Sequence, residues 1–549
     1  MDAPAADNTR GTREAIEAWA EALGPEHVRA DEAVRDRYAR STAPTGTRPL
    51  AILYPGSTEQ VRQVVQIAGR FGIPLYPISK GRNWGYGDAC APTEGQVIVD
   101  LGRMNRIVEV NTRLAYAVIE PGVTQGQLSD YLREHRTGLW VDSTGAGRDA
   151  SLVGNTLDRG FGHTRYGDHF LTTCGMEIVL ADGRVLQTGF GHYANAKAAY
   201  AYRYGIGPFL DGLFAQSNFG IITRIGLWLM PEPEAFCSFY FSAPNDGDLP
   251  DVVDRLASLR QQGLLQSAIH IGNDLRVISA RMRYPWQRAG GKTPLPRELR
   301  AQLRRECGVG AWNAGSAIYG TRETVAATKK AVRRALAPYH PRFITDRTLA
   351  LGERVIRLLN RVGAGQRLRE MFEIGKPVYE LLKGIPSDEP LRGTAWRVRD
   401  PDPGKPVDPL DAHAGLMWVS PVVPATGEAA VEVMRIIEPI YEKHGFEALV
   451  TFTLITERAM CGVTNLAFDK READEAARAA ACYNELMDAL MNAGYIPYRT
   501  GPAGFGKLAR NSSVFWDVVR QLKQTLDPSG IISPGRYLPG ETRPQRHEP

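Results

Sequence analysis

The chain has 549 residues, which is too long for one hydrophobic core and predicts two large domains. Its composition is that of an ordinary globular protein, with 43% hydrophobic and 23% charged residues. The 66 basic and 61 acidic residues alternate and leave a net charge of +5, so neither nucleic acid nor a membrane surface is an expected partner.

The N-terminus and the cysteines predict a cytoplasmic protein. The first residues include acidic side chains and no apolar stretch, which argues against a secretory signal, and no run of about 20 apolar residues could span a bilayer. The six cysteines have no metal-binding spacing, so we expect reduced thiols and no metal site. They are Cys90, Cys174, Cys237, Cys307, Cys461 and Cys482.

The pattern of the first half predicts a β-α-β unit that runs into a glycine-rich loop. An amphipathic helix is expected before it and several short strands after it. The expected elements are a helix over 13–23, a strand over 49–54, a helix over 58–70, and strands over 73–78, 97–101, 107–111 and 115–123. The segment 176–186 predicts a hairpin, because Asp182-Gly183 stands at its turn.

The amino-acid composition changes at the start of the second half. Residues 230–250 are rich in Pro, Asp and Gly, as expected of a domain junction. A helical, basic stretch follows over 324–382, and a last helix is expected over 512–526. The tail from Glu541 is polar, and we expect it to be disordered.

Two short motifs could carry chemistry. In the loop 79–87, glycines at 81, 85 and 87 would free backbone N–H groups to bind a phosphate, although a tight turn that binds nothing fits the pattern equally well. Tyr498-Arg499 could together bind an anionic oxygen, although a surface arginine beside a half-buried tyrosine is the commoner case. His163 and His169 lack a ligand spacing.

Several segments, taken together and in order, resemble the vanillyl-alcohol oxidase and para-cresol methylhydroxylase family of flavoproteins. The resemblance covers about residues 45–230 and 410–540. The segments are PISKGRNWGYG (77–87), VGNTLDRGFGHTRYGDHF (153–170), GMEIVLADGRVLQTG (175–189), LMWVSPVVPATG (416–427), TFTLITERAM (451–460), YRT (498–500) and DPSGIISPGRY (527–537). Ordered matches of this kind are far more specific than any single motif.

The resemblance implies an α+β fold in which an FAD-binding domain of the vanillyl-alcohol oxidase kind carries an α/β cap domain over the flavin. The implied bounds are 1–235 for the first part of the FAD-binding domain, 236–499 for the cap, and 500–549 for the returning C-terminal part and its polar tail. The amides of residues 79–83 would hold the pyrophosphate. The implied FAD contacts are Pro77, Ile78, Ser79, Lys80, Gly81, Arg82, Asn83, Gly85, Pro121, Gly122, Gly154, Asn155, Ile222 and Arg536.

Carried over residue by residue, Tyr86, Tyr498 and Arg499 correspond to the family's anion-binding triad for a phenolic oxygen. A phenolate stabilises the charge that develops as a benzylic hydride leaves for flavin N5, and the product is a para-quinone methide. The resemblance therefore implies oxidation of 4-hydroxybenzylic alcohols or of 4-alkyl- or 4-alkenylphenols, including lignin-type guaiacyl compounds. We expect O2 as the acceptor.

The sequence departs from the family pattern at the position of the covalent flavin link. Leu416 stands where a His or Tyr usually forms the bond, and His413 lies three residues earlier. Leucine cannot form this bond, so we expect non-covalent FAD, with a link through His413 as the alternative.

Two further departures concern the pocket. Gly145-Ala146 replaces an acidic residue near flavin N5, with Asp142 and Asp149 only as neighbours. This puts base-assisted water addition in doubt. Cys461-Gly462 replaces a histidine pair and suggests a roomier pocket.

Three alternatives to a phenol oxidase stay open. Electrons could pass to a cytochrome, as in a dehydrogenase or hydroxylase. The chain could be a catalytically silent flavin-binding subunit, or an FAD enzyme for a sugar or hydroxy acid. In each case we expect a homodimer or a higher homo-oligomer.

Overall fold

A computed structural model describes residues 4–360, 366–509 and 513–538. Its helices are α1 Pro4–Leu23, α2 Glu32–Tyr38, α3 Thr58–Phe71, α4 Gln125–Glu134, α5 Leu152–Leu157, α6 Leu249–Gln261, α7 Asp274–Ser279, α8 Arg297–Cys307, α9 Arg322–Ala335, α10 Asp346–Asn360, α11 Gln366–Leu381, α12 Gly427–Lys443, α13 Ala473–Asn492, α14 Pro502–Leu508 and α15 Val514–Leu526.

The strands form four sheets. They are β1 Val28–Arg29, β2 Ile52–Leu53, β3 Leu75–Ile78, β4 Val97–Asp100, β5 Ile107–Asn111, β6 Tyr116–Ile119, β7 Leu139–Trp140, β8 Thr173–Val179, β9 Val185–Gln187, β10 Ile221–Trp228, β11 Met230–Pro231, β12 Ala235–Ala243, β13 Ile269–Asn273, β14 Trp312–Gly320, β15 Arg342–Ile344, β16 Ala414–Val419, β17 Val422–Pro424, β18 Leu449–Leu454 and β19 Ala459–Asp469. The expected α+β class is confirmed.

The predicted β-α-β unit is β2, α3 and β3 in a four-stranded sheet of order β1-β2-β4-β3. Helix α3 begins after Ser57, whose hydroxyl accepts a hydrogen bond from the amide of Gln60, and it ends at Gly72 in the left-handed conformation. Its buried face packs on the sheet and leads the chain into β3. The end of β3 therefore fixes where the glycine-rich loop begins.

A five-stranded antiparallel sheet of order β5-β6-β10-β8-β9 follows. The predicted hairpin is β8 and β9, which pair in antiparallel register. Gly183 adopts a φ of 83° in its turn, a conformation that an L side chain resists.

The end of the described chain returns to the first sheet. The amide of Leu75 donates to the carbonyl of Ile531 at 2.7 Å, and the amide of Ser533 donates to the carbonyl of Leu75 at 2.7 Å. Ile531 and Ile532 are fully buried in the core that contains α3. The C-terminal segment thus completes the N-terminal core.

The largest sheet has eight strands, in the order β15-β12-β14-β13-β18-β19-β16 with β17 on β19. One face packs against α6, α12 and α13 in the largest core cluster, which includes Ile271, Phe452 and Met460. Since side chains alternate along a strand, His270 and Thr453 point from the opposite face. We call this second face the inner face, because Trp418 on it contacts the glycine-rich loop.

The Pro- and Asp-rich stretches around 230–250 flank β12, the strand that opens this sheet. This agrees with a junction near residue 235, and the division at 235 and 499 remains our proposal. The predicted tail from Glu541 lies outside the described residues. No helix in the described ranges is long and apolar enough to cross a membrane.

Candidate active site

The glycine-rich loop presents unused hydrogen-bond donors. Gly81 and Gly85 adopt φ values of 62° and 75°, which let the chain turn sharply after β3. Within the described chain, the backbone N–H groups of residues 80–84 donate no hydrogen bond. The Arg82 guanidinium is turned away to Asp149 and Asp408. The loop can therefore bind an anion through its free backbone N–H groups, as an anion-binding nest does.

Two glycines among the predicted FAD contacts lie where the backbone is tightly packed, and one of them, Gly154, lies against this loop. A Cβ on Gly122 would lie 2.6 Å from the carbonyl oxygen of Gly102, and a Cβ on Gly154 would lie 3.3 Å from Oγ of Ser79. Neither position has room for a larger side chain without local movement. Gly154 of α5 thus lies beside Ser79, whereas Pro121 contacts α5 through its carbonyl, which accepts from the Ser151 hydroxyl at 2.6 Å.

Arg536 joins the loop through Asp158. Its Nη2 donates to Oδ1 of Asp158 at 2.5 Å, and Nδ2 of Asn83 donates to Oδ2 of the same carboxylate at 2.9 Å. Nη1 donates to the Tyr76 hydroxyl at 3.0 Å. Burial lowers the pKa of Arg536, but Asp158 and Tyr76 outweigh it and raise the pKa above its ordinary value.

Three other predicted cofactor residues have side chains that are otherwise engaged. Ile78 and Ile222 are buried in hydrophobic clusters. The Asn155 amide oxygen lies 2.6 Å from Nδ1 of His169. Pro77 near the end of β3 is half-buried. Their assignment as FAD contacts stays a prediction.

Tyr86, Tyr498 and Arg499 converge in space. Cζ of Arg499 lies 3.9 Å from the ring centroid of Tyr86 and 5.3 Å from that of Tyr498. Ser420 holds both tyrosines: its hydroxyl lies 2.7 Å from the Tyr86 hydroxyl, and its carbonyl accepts from the amide of Tyr498 at 3.1 Å. Residues more than 400 positions apart are thereby brought to one point.

The triad is a partly buried, positively charged site. Burial raises the pKa of Tyr498 well above its ordinary value even though Arg499 lowers it, so this hydroxyl stays protonated at neutral pH. Nε of Arg499 is shielded and has no hydrogen-bond partner. Across the described ranges no carboxylate forms an ion pair with this guanidinium. An anion bound here would supply the missing partner.

Trp418 and Leu416 form the wall beside the triad. The Trp418 indole is stacked with Tyr86 at 6.5 Å between ring centroids, and its Nε1 donates to the carbonyl of Trp84 at 2.9 Å. A Cβ on Gly85 would lie 2.2 Å from Trp418, so this position requires glycine. Leu416 is fully buried against Trp84, whereas His413 is exposed at the start of β16.

The loop 143–148 carries no acid toward this wall. Gly145 lies against Pro390, and Ala146 packs with Leu391 and Leu416. Asp149 pairs with Arg82 at 3.2 Å. Asp142 is buried 2.6 Å from Nε2 of His169; burial raises its pKa, but His169 outweighs this and lowers it.

The structure adds residues that the sequence did not single out. They are Asp158, Ser420, Trp418, His270 and Arg276. The first three stand inside segments that carry the family resemblance, but nothing in their spacing identifies their partners. No group of His, Cys, Asp and Glu suited to a metal occurs in the part of the chain that is described.

Comparison with known proteins defines the class. An FAD binding domain model matches residues 49–189, and an FAD linked oxidase C-terminal domain model matches residues 422–537. The chain is 40% identical to a 1'-carboxy-chondrochloren decarboxylase of Chondromyces crocatus, over 96% of this chain and 98% of that protein. It is 33% identical to a 4-cresol dehydrogenase [hydroxylating] flavoprotein subunit of Pseudomonas putida, over 89% and 87%.

A solved structure agrees with these relatives. The chain superposes on a 4-ethylphenol oxidase from Gulosibacter chungangensis, determined as an isoeugenol complex, with a TM-score of 0.87, 32% identity and coverage of 98% and 99%. The protein is therefore an FAD-dependent oxidoreductase. It belongs to the vanillyl-alcohol oxidase and para-cresol methylhydroxylase family, and the expected family, fold and cofactor are confirmed.

The residues present fit FAD. The free N–H groups of residues 80–84 suit a pyrophosphate, and glycine at 154 keeps a side chain away from Ser79 at the start of this loop. Arg536 is held rigidly by Asp158 within reach of the same loop.

Proposed function

We propose that this protein oxidises para-substituted phenols, namely 4-hydroxybenzylic alcohols and 4-alkyl- or 4-alkenylphenols, including lignin-type guaiacyl compounds. Bound FAD would supply the hydride acceptor. The observation that carries the proposal is the partly buried Arg499 guanidinium, which has two tyrosines beside it, a shielded Nε and no carboxylate partner among the described residues.

The roles follow from the chemistry of each group. Tyr86 and Tyr498 would donate hydrogen bonds to the phenolic oxygen, and Arg499 would supply a permanent positive charge. Together they stabilise the phenolate, whose electrons offset the charge that develops at the benzylic carbon. Ser420 would act as a positioning residue, since it contacts both tyrosines.

The acceptor and the assembly belong to the same proposal. We propose O2 as the acceptor and a cytoplasmic homo-oligomer as the working form. A cytochrome acceptor is the competing case, supported by the 4-cresol dehydrogenase relative. Peroxide release, measured against reduction of an added cytochrome with the same substrate, separates the two.

The test of the main proposal is a panel of para-substituted phenols mixed with the holoenzyme under nitrogen. We expect bleaching of the flavin absorbance with 4-alkylphenols and 4-hydroxybenzylic alcohols. The matched meta-substituted isomers should leave it unchanged, because a meta-hydroxyl cannot conjugate with the benzylic position in this way. Equal bleaching by both isomers would contradict the proposed phenolate mechanism.

The flavin should be held without a covalent bond. Leu416 has no nucleophilic atom, and exposed His413 lies on the surface at the start of β16. We therefore expect precipitation with acid to release the yellow chromophore into the supernatant. Colour that stays in the protein pellet of the wild type and disappears in His413→Ala would show the opposite.

A second candidate is oxidative decarboxylation of a para-hydroxyphenyl compound with a carboxylate on its side chain. Two observations favour it: the relative at 40% identity is a decarboxylase, and the loop 143–148 lacks an acid that could assist water addition. The C–COO⁻ bond would break after hydride loss, its electron pair would form the new C=C bond and restore the aromatic ring, and CO2 would leave. Detection of CO2 and a vinylphenol product tests this candidate.

A further inference from the structure

We propose that Arg276 and His270 form a second anion site on the inner face of the large sheet, which binds a carboxylate on the side chain of a para-hydroxyphenyl substrate. This inference rests on the proposed function, because it takes the phenolic end to be bound by Arg499. It assigns the residues that bind the opposite end of the substrate.

Arg276 is a partly buried cation with no acidic partner among the described residues. It lies in α7 directly after β13, and its side chain crosses the inner face, since a Cβ on Gly272 would lie 3.8 Å from both its Cγ and Oγ1 of Thr451. A Cβ on Gly393 would lie 2.9 Å from its Nη1, so glycine there leaves space for the guanidinium. No ion pair or side-chain hydrogen bond of Arg276 occurs within the described residues.

The second observation is His270, which presents an unused donor beside this cation. Its Nε2 is shielded from solvent and has no hydrogen-bond partner, whereas its Nδ1 lies 3.0 Å from the Thr453 hydroxyl. Burial and the nearby His163 lower the pKa of His270 well below its ordinary value, so the ring is neutral. When Nδ1 accepts from Thr453, Nε2 carries the proton and can donate to a carboxylate.

The sheet register relates this site to the phenol site. Cys461, beside Arg499, pairs with Thr453 on the next strand, and Thr453 pairs with His270 on the strand after it. Directly opposed residues share a face, so the three side chains form a row on the inner face. Two strand spacings amount to roughly 10 Å. A para-hydroxyphenyl group with a short carboxylate side chain has a comparable length.

The two arginines thus lie at opposite ends of one row, and both lack a carboxylate partner in the described chain. An unpaired charge that has lost part of its solvation is unfavourable, whereas a bound anion would offset this loss. Asp142, which is close enough to raise the pKa of His270, is already held by His169. A neutral 4-alkylphenol would satisfy only Arg499, whereas a carboxylated phenol would satisfy both arginines.

The test compares 3-(4-hydroxyphenyl)propanoate with its neutral methyl ester, both titrated into the holoenzyme under nitrogen and followed by flavin absorbance. We expect the acid to bind the wild type at least about 10-fold more tightly than the ester. Arg276→Met should abolish this preference, with a loss of about 10- to 100-fold for the acid and little change for the ester. The matched control is Arg297→Met, which removes an exposed arginine of α8.

Two further variants guard against a folding defect. Arg276→Lys should keep part of the preference, because it keeps the charge, and His270→Phe should reduce it without removing it. An unchanged acid-to-ester ratio in Arg276→Met, or equal binding of acid and ester to the wild type, would overturn the inference. Failure of every phenol, ester included, to bleach the flavin would instead overturn the proposed function.

Discussion

Replacement of Arg499 by methionine should lower the rate of flavin reduction by para-substituted phenols at least about 10²-fold. The reason is electrostatic. The guanidinium lies 3.9 Å from the Tyr86 ring in a partly buried site, where a charge stabilises a phenolate more than it would in water. Methionine keeps much of the volume and removes the charge.

Rapid mixing of holoenzyme and substrate under nitrogen measures this step directly. Arg458→Met provides the control, because Arg458 is exposed on the turn between β18 and β19 of the same sheet. It should retain the wild-type rate. The variant Arg499→Lys should be more active than Arg499→Met because it keeps the positive charge. It should be less active than the wild type because a point charge replaces the planar guanidinium. A wild-type rate in Arg499→Met would show that the phenolate is stabilised elsewhere.

The rate should not fall between pH 7 and 9 through ionisation of Tyr498. Burial raises its folded-state pKa well above the ordinary value, so the hydroxyl remains a donor throughout this range. Tyr498→Phe should remove the donor at every pH in the range. A loss of wild-type activity above pH 8 that is absent in Tyr498→Phe would contradict this assignment.

The largest expected effect on stability comes from Arg397, which is fully buried. Its Nη1 donates to Glu475 at 2.7 Å, and its Nε donates to Glu447 at 3.0 Å. Both carboxylates are almost completely buried. Arg397→Met leaves two carboxylates without their cation, and we expect a loss of about 3–5 kcal/mol in the free energy of unfolding.

Denaturant unfolding of the holoenzyme, followed by fluorescence, measures this loss. The matched control is Arg399→Met. Arg399 is two residues away and pairs at 3.2 Å with Glu472, with both side chains nearly half exposed. An exposed pair contributes at most about 1 kcal/mol. Equal destabilisation by the two substitutions would show that the buried network has no special role.

The sequence predicted the parts of the fold that depend on local pattern. The β-α-β unit, the hairpin at Asp182-Gly183 and the glycine-rich loop all follow from periodicity and turn chemistry within about 30 residues. The triad was not predictable in that way: Tyr498-Arg499 alone reads as an ordinary surface pair. Tyr86, Tyr498 and Arg499 were assigned as a triad only because the ordered family motifs include them. The structure brings these three residues together.

Other contacts of the site carry no local signal. Asp158 binds Arg536 across 378 positions, and Ser420 contacts Tyr86 across 334. No spacing rule connects residues so far apart, because only the packing of the sheets decides their distance. Arg276 was missed for a different reason. Its interest lies in having no acidic partner among the described residues, and the absence of a contact cannot be read from a sequence.

The return of the chain end to β3 has a consequence for biosynthesis. Ile531 and Ile532 complete a core whose other members, such as Val64 and Leu75, are made hundreds of residues earlier. During translation the N-terminal core therefore stays incomplete until residues 531 and 532 have been made. Late closure of this kind makes truncated products prone to aggregation and gives chaperones a long interval in which to act.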